Sequence, residues 1–268
     1  MEENTQFITK RIIYSGNIYE LYTYSIPIRK GYEREKGKGG RSVMANFEQK
    51  AVNRVLTMNR AKRDVRRLIN ANAYAYEDSE GNIIKPVFIS FTYKENVTDL
   101  KWSNREYSKF IQRLNFNFGY KTAHFKYVTV IEFQERGAIH YHTVFFNLPL
   151  KADFVSKEEP GKADALIEAI WKHGWCKVVD ITEVDNVGAY LTKYMTKETI
   201  DERLVEEKCY FSARGLLKPV TIDNENAVNT MEEYLKNKKA RYEKTFESKM
   251  NGDVDYKQYN ENDFKEEE

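Results

Sequence analysis

Two of the four histidines in this 268-residue chain fall in one tripeptide, His140-Tyr141-His142, inside the apolar run AIHYHTVFF. Side chains alternate along a strand, so both imidazoles share one face with Val144 and Phe146. A divalent cation takes imidazole nitrogens together with a hard oxygen and keeps positions open for substrate. The preceding run, YVTVIEFQ, can supply that oxygen, because the intervening Glu135-Arg136-Gly137 reads as the turn of an antiparallel hairpin. A turn centred on Gly137 sets Glu132 opposite His142 and Gln134 opposite His140, all on one side of the sheet. A carboxylate in the apolar stretch VTVIEF is costly to bury alone, and a metal removes that cost. The same residues also suit a pair of sheet histidines held only by hydrogen bonds.

A second constellation is the repeat Tyr190-Leu-Thr-Lys193-Tyr194-Met-Thr-Lys197. On a helix the two tyrosines, four apart, share one face, and Lys193 and Lys197 share the next. A phenol with a pKa near 10 is a weak nucleophile at neutral pH, so an ammonium or a metal has to stabilise the phenolate. Lys193 and Lys197 are spaced for that, or for holding a phosphate oxygen. Taken alone, aromatic residues at this spacing also suit an ordinary core face.

The elements that must position these groups can be read from pattern. ITKRIIY and IYELYTYSI, joined by Ser15-Gly16-Asn17, form a hairpin over residues 8–28. GYEREKGKGGR has too much glycine and charge for regular structure, and 42–71 reads as one basic helix with Ser42 as its N-cap. After Pro86, VFISFTY is a strand, and 99–118 is a helix with Tyr107, Phe110, Ile111 and Leu114 on one side. Beyond the 127–146 hairpin come a helix at 163–172, a strand at 175–181 and a short helix at 185–197. A charged helix over 229–250 precedes a tail too polar to fold by itself. This order predicts an α+β fold, a central antiparallel sheet flanked by helices with helical extensions. The expected divisions are 1–42, the hairpin and basic loop; 43–82, the basic helix; 83–222, the core; and 223–268, the charged helix and acidic tail.

Net charge is only +2, but its distribution is uneven: +4 over 29–41, +5 over 43–73 and −5 over 251–268. A basic front half suits a polyanion, since Lys and Arg neutralise phosphates and release counterions; a solvated helix face fits equally well. Two distant cysteines, Cys176 and Cys209, exclude a thiolate zinc site and imply a reducing cytoplasm. No run approaches the roughly 18 apolar residues of a membrane span, and MEENTQFITKR lacks a signal-peptide core, so a soluble protein with no membrane partner is expected. The glycines around Lys38 have the wrong spacing for a phosphate loop, which excludes an NTPase.

EFQERGAIHYH followed by AYLTKYMTK resembles the HUH endonuclease superfamily, in particular the two-tyrosine rolling-circle replication initiators of small phages and plasmids; FISFTY is similar to that family's first motif. The resemblance implies a palm of the HUH or RRM-like kind, with Mg²⁺ or Mn²⁺ held by His140, His142 and Glu132, and Tyr141 in the hydrophobic slot between the histidines. It assigns attack on a phosphodiester to Tyr190 and Tyr194, giving a 5′-phosphotyrosine and a free 3′-hydroxyl. The implied partners are single-stranded DNA at a replication origin and a helicase and polymerase borrowed from a host, with a bacterial cytoplasm as the setting. Mobilisation relaxases and transposases share that chemistry. A non-catalytic nucleic-acid-binding protein with a structural HYH remains the alternative from another class, whereas a cupin-type oxygenase would need a glutamate about four residues after the second histidine, and Thr-Val-Phe-Phe-Asn follows His142.

Overall fold

A computed structural model describes residues 5–31, 47–150, 161–195 and 208–266 of the chain. These residues divide into two compact units, one built from residues 49–217 and the other from the two ends of the chain, 1–48 and 218–268.

The 49–217 unit carries the expected α+β architecture. Its sheet contains β3 (Val87–Tyr93), β4 (Tyr127–Phe133), β5 (Ile139–Phe145), β6 (Gly174–Asp180) and β7 (Tyr210–Ser212), in the antiparallel order β6-β3-β5-β4-β7. The HYH strand β5 is therefore central, and all seven of its residues are buried. Helices cover both faces. On one, α2 (Leu100–Asn117) and α3 (Lys162–Trp171) pack Tyr107, Phe110, Leu114, Ile167 and Trp171 against the odd-numbered Ile89, Phe91, Ile131 and Tyr141. On the other, α1 (Phe47–Asn72) and α4 (Val187–Thr192) pack Val65, Ile69 and Leu191 against the even-numbered Phe88, Val130 and Val144. The period-two alternation thus sends Tyr141 to the first face and both histidines to the second.

Tyr141 is committed to that first face by its hydroxyl, 2.6 Å from Ser103 Oγ and donating to Asn104 Oδ1 at 2.8 Å. Beside it Tyr107 reaches Thr129 and Thr143 at 3.0 and 2.7 Å, so the buried polar atoms here satisfy one another. The start of α2 follows from the sequence: the Asp99 side chain accepts from the Trp102 N–H, the expected role of an N-cap aspartate.

The 42–71 helix is present from Phe47 to Asn72, while Ser42 and most of the basic loop lie outside the described residues. Its apolar side, with Ala61, Val65, Leu68 and Ile69, faces the sheet. The short helix expected over 185–197 is helical only to Thr192; turns follow at Lys193 and Tyr194, and 196–207 lies outside the described residues. Asn186 caps it by accepting from Ala189 N at 2.8 Å.

The C-terminal expectation is corrected. In place of a helix over 229–250 and an unfolded tail there are α5 (Glu225–Leu235), β9 (Tyr242–Ser248), β10 (Gly252–Asn260) and a 3₁₀ turn over Glu261–Glu266. They join β1 (Gln6–Ser15), β2 (Ile18–Lys30) and β8 (Val220–Ile222) in a second antiparallel sheet, β8-β1-β2-β10-β9. Average polarity concealed the alternation in GDVDYKQYN, whose Val254, Tyr256 and Tyr259 are buried when β10 pairs along β2. Strand pairing with a remote segment of the chain overrides local helix propensity.

The position of α4 depends on Gly188. A Cβ at that residue would lie 2.2 Å from the Arg66 carbonyl oxygen and 2.7 Å from Asn70 Oδ1, the atom that accepts from Gly188 N at 2.7 Å. Gly188→Ala must therefore push α4 off α1, and a loss of about 1–3 kcal/mol in urea unfolding is expected. Unchanged stability would show that α4 does not pack against α1 in this way.

Candidate metal and tyrosine site

The hairpin that joins β4 to β5 differs in register from the expectation, and the difference is informative. Gly137 N donates to Gln134 O at 2.7 Å, Gln134 N donates to Ala138 O at 2.9 Å, and Gly137 has φ +79°. This is a three-residue loop, a tight turn closed by glycine in the left-handed region, so its centre is Arg136 and not Gly137. Glu132 consequently pairs with His140, and Val130 with His142. Gln134 falls opposite Ala138, and its Oε1 accepts from Arg136 Nε at 3.2 Å. The shift moves each strand by a whole pleat, which preserves the face: Glu132 remains on the histidine side and reaches diagonally to His142.

Across that face Glu132 Oε2 lies 2.7 Å from His142 Nε2, and the other ring nitrogen, Nδ1, lies 3.0 Å from Ser90 Oγ on β3. Ser90 went unassigned in the sequence; its only signal was a polar residue at an inward position of FISFTY, and register alone brings it opposite His142. His140 is buried beside them with no hydrogen-bond partner at Nε2. An orphaned buried nitrogen is uncommon, and leaving one costs about 1–3 kcal/mol. Nitrogen or oxygen atoms of Glu132, His140 and His142 all lie within 4.8 Å of one another, so this group could hold a metal ion.

Electrostatics favour the ligand form of each group. Burial, reinforced by His142, lowers the His140 pKa to about 4, so it is a neutral imidazole near pH 7. The hydrogen bond from His142 holds the Glu132 carboxyl below its ordinary value against the opposing effect of burial. Neutral imidazole and ionised carboxylate are what a divalent ion requires. The Ser90 hydroxyl can fix the His142 tautomer and ring angle as an outer partner.

The tyrosines meet this cluster. Tyr194 stacks on the His142 imidazole with ring centroids 3.8 Å apart, and on Phe88 at 5.4 Å. Tyr190 meets Phe88 edge-on at 5.1 Å and lies 6.4 Å from Tyr194. Both are partly exposed. Lys193 Nζ sits 3.8 Å from the Tyr190 ring centroid and 4.9 Å from that of Tyr194. Burial and the neighbouring Tyr190 raise the Tyr194 pKa, and Lys193 opposes them without overcoming them. The lysine by itself thus does not generate the phenolate. Lys197 lies outside the described residues.

The fold and site together define an α+β domain whose central strand presents a His-His-Glu group beside two tyrosines. Residues 86–199, less than half of the chain but including all of these groups, match a family model of replication-associated proteins, the family of ORF2 and the phage gene-2 protein. The match supports a role in replication, with DNA as the molecule engaged. Comparison with curated proteins and with solved structures returns no match. No helix among the described residues is long and apolar enough to cross a membrane.

Two outcomes follow from this geometry. Mn²⁺ should raise the melting temperature of the wild-type protein, and Ser90→Ala should weaken that stabilisation by about tenfold in metal affinity, the usual effect of losing an outer partner; an unchanged metal titration would exclude Ser90 from that role. Without metal, stability should fall as pH drops from about 6.5 towards 4, because the unfolded chain binds a proton that folded His140 refuses, with a ceiling of about 3 kcal/mol that solvent screening reduces. The depressed Glu132 carboxyl acts with the same sign below its unfolded value. His140→Gln should flatten the profile between pH 6.5 and 4, and a profile as steep as wild type would place the acid sensitivity elsewhere.

Proposed function

We propose that the protein is a rolling-circle replication initiator, a site-specific enzyme that nicks and rejoins single-stranded DNA through a tyrosine ester, in keeping with its resemblance to the HUH endonucleases. The observation that carries the reading is the stack of Tyr194 on His142, which joins the two motifs into one cluster across 52 residues of sequence. His140, His142 and Glu132 would hold Mg²⁺ or Mn²⁺, which when bound supplies Lewis-acid polarisation of the scissile phosphate.

The remaining chemistry belongs to the chain. A tyrosine oxygen attacks phosphorus in line, the new phenol ester forms as the bond to the 3′-oxygen breaks, the phenol gives up its proton and the departing oxygen gains one. One phosphodiester replaces another, so the strand can be rejoined without ATP. Lys193, beside both rings, and Lys197, four residues on, favour the phenolate and steady the phosphate oxygens. Two tyrosines around Phe88 allow one to hold a DNA end while the other attacks the regenerated origin. Duplex opening falls to a host helicase and synthesis to a host polymerase. The family match favours replication over mobilisation or transposition, which use the same chemistry.

Mixing the protein with single-stranded DNA carrying candidate origins and Mn²⁺ should give an adduct that survives denaturation, and mass spectrometry should map it to Tyr190 or Tyr194. No adduct across broad origin libraries would leave a DNA-binding protein without this activity. Tyr190→Phe and Tyr194→Phe should each retain partial nicking and the double variant none, whereas abolition by one change alone would show a single working nucleophile. Lys193→Ala should slow cleavage more than it weakens binding; equal losses would contradict its assigned role.

A further inference from the structure

Sheet register aligns side chains in rows that run across the strands, and the row through the candidate metal ligands continues to an exposed tryptophan. Glu132 pairs with His140, His140 with Thr92, and Thr92 with Trp175 on the edge strand β6. Directly paired residues point to the same side, so Trp175 shares the face of the His-His-Glu group, two strand spacings or about 10 Å from His140. The adjacent row runs from Val130 through His142 and Ser90 to Lys177, a largely exposed cation ion-paired to Asp164 at 2.9 Å.

Trp175 is 56% exposed although it sits in a strand, and its indole has no aromatic partner among the described residues. The other two tryptophans differ: Trp171 is fully buried, and Trp102 packs against Tyr93 and His173. The apolar cluster under α1 and α4 draws on Phe88, Val128, Val130 and Val144 and includes nothing from the Trp175 row. That row is left outside the helical cover, with a flat apolar ring at its outer end and the candidate metal group at its inner end. Gly174 fixes where the indole stands: its φ is +150°, and a Cβ there would come 2.3 Å from the Thr92 carbonyl oxygen. The strand thus enters the sheet too close to β3 for any larger residue, immediately before Trp175.

We propose that Trp175 is a positioning residue that stacks a nucleobase of single-stranded DNA next to the scissile phosphate. The proposal rests on the nuclease reading above and adds to it the platform that holds the strand in line. A phosphate at the His-His-Glu group lies within one or two nucleotides of the indole, and every base offers a π-face, so such a contact orients the strand without selecting its sequence. Residues that set substrate position gain rate by holding the reacting atoms in alignment.

The test uses the full chain in EDTA, where binding is read without cleavage, with a fluorescently labelled mixed-sequence single-stranded oligonucleotide followed by anisotropy and an unlabelled one followed by tryptophan emission. Wild-type emission should be quenched as DNA binds. Trp175→Phe should bind with near wild-type affinity and lose most of that quench. Trp175→Ala should bind about tenfold more weakly, with an unchanged circular dichroism spectrum, and should form adduct more slowly in Mn²⁺. Full quench in Trp175→Phe, or wild-type affinity in Trp175→Ala, would overturn the assignment. Those results alongside a wild-type adduct would remove Trp175 and leave the nuclease intact. A wild-type protein that forms no adduct on any origin library would remove the nuclease and this proposal with it.

Discussion

The arrangement of the larger unit turns on burying two imidazoles and a carboxylate on one face of an apolar sheet. Hydrogen bonds satisfy part of that group, through Ser90, His142 and Glu132 in sequence, and leave His140 Nε2 without a partner. A buried unpaired nitrogen is a standing cost, tolerated where some other interaction compensates. A cation is the natural compensation, because the remaining groups already carry the protonation state it needs. Lowering the His140 pKa to about 4 is the same fact seen from solution: a site that excludes water also refuses a proton.

The two faces of the sheet divide the work. Beneath α2 and α3, the hydroxyls of Tyr107 and Tyr141 find threonine, serine and asparagine partners, and that side is closed. Beneath α1 and α4, the cover stops short of the row through Glu132 and His140. The short helix carrying Tyr190 is held through Asn70, which accepts from Gly188 N and donates to Asn186 Oδ1 at 3.1 Å. The basic helix α1 therefore serves as a structural strut for the tyrosines whatever its exposed arginines bind.

The unit made from the chain ends has its own logic. β2 pairs with β1 on one side and β10 on the other, so the last strand of the chain closes a sheet begun by the first. Glu20, buried on β2, accepts from Tyr256 Oη on β10 at 2.8 Å, which couples the two ends through a polar contact that neither segment could satisfy locally.

Alternation and turn chemistry made much of this legible in the residues alone. The central strands, the shared face of His140, His142 and Glu132, the α2 cap at Asp99 and the N-terminal hairpin all follow from periods of two and 3.6 residues and from local capping, which are properties of short segments. Only the tertiary structure decided the rest. The left-handed Gly137 shifted the hairpin so that Glu132 faces His140 and touches His142 on the diagonal. Ser90 and Trp175 joined the site through registers with partners 52 and 83 residues distant. Residues 242–260 became strands because β2 was available to pair with them. Such pairings depend on where remote segments meet, and a strand's own sequence encodes its faces without naming its neighbour.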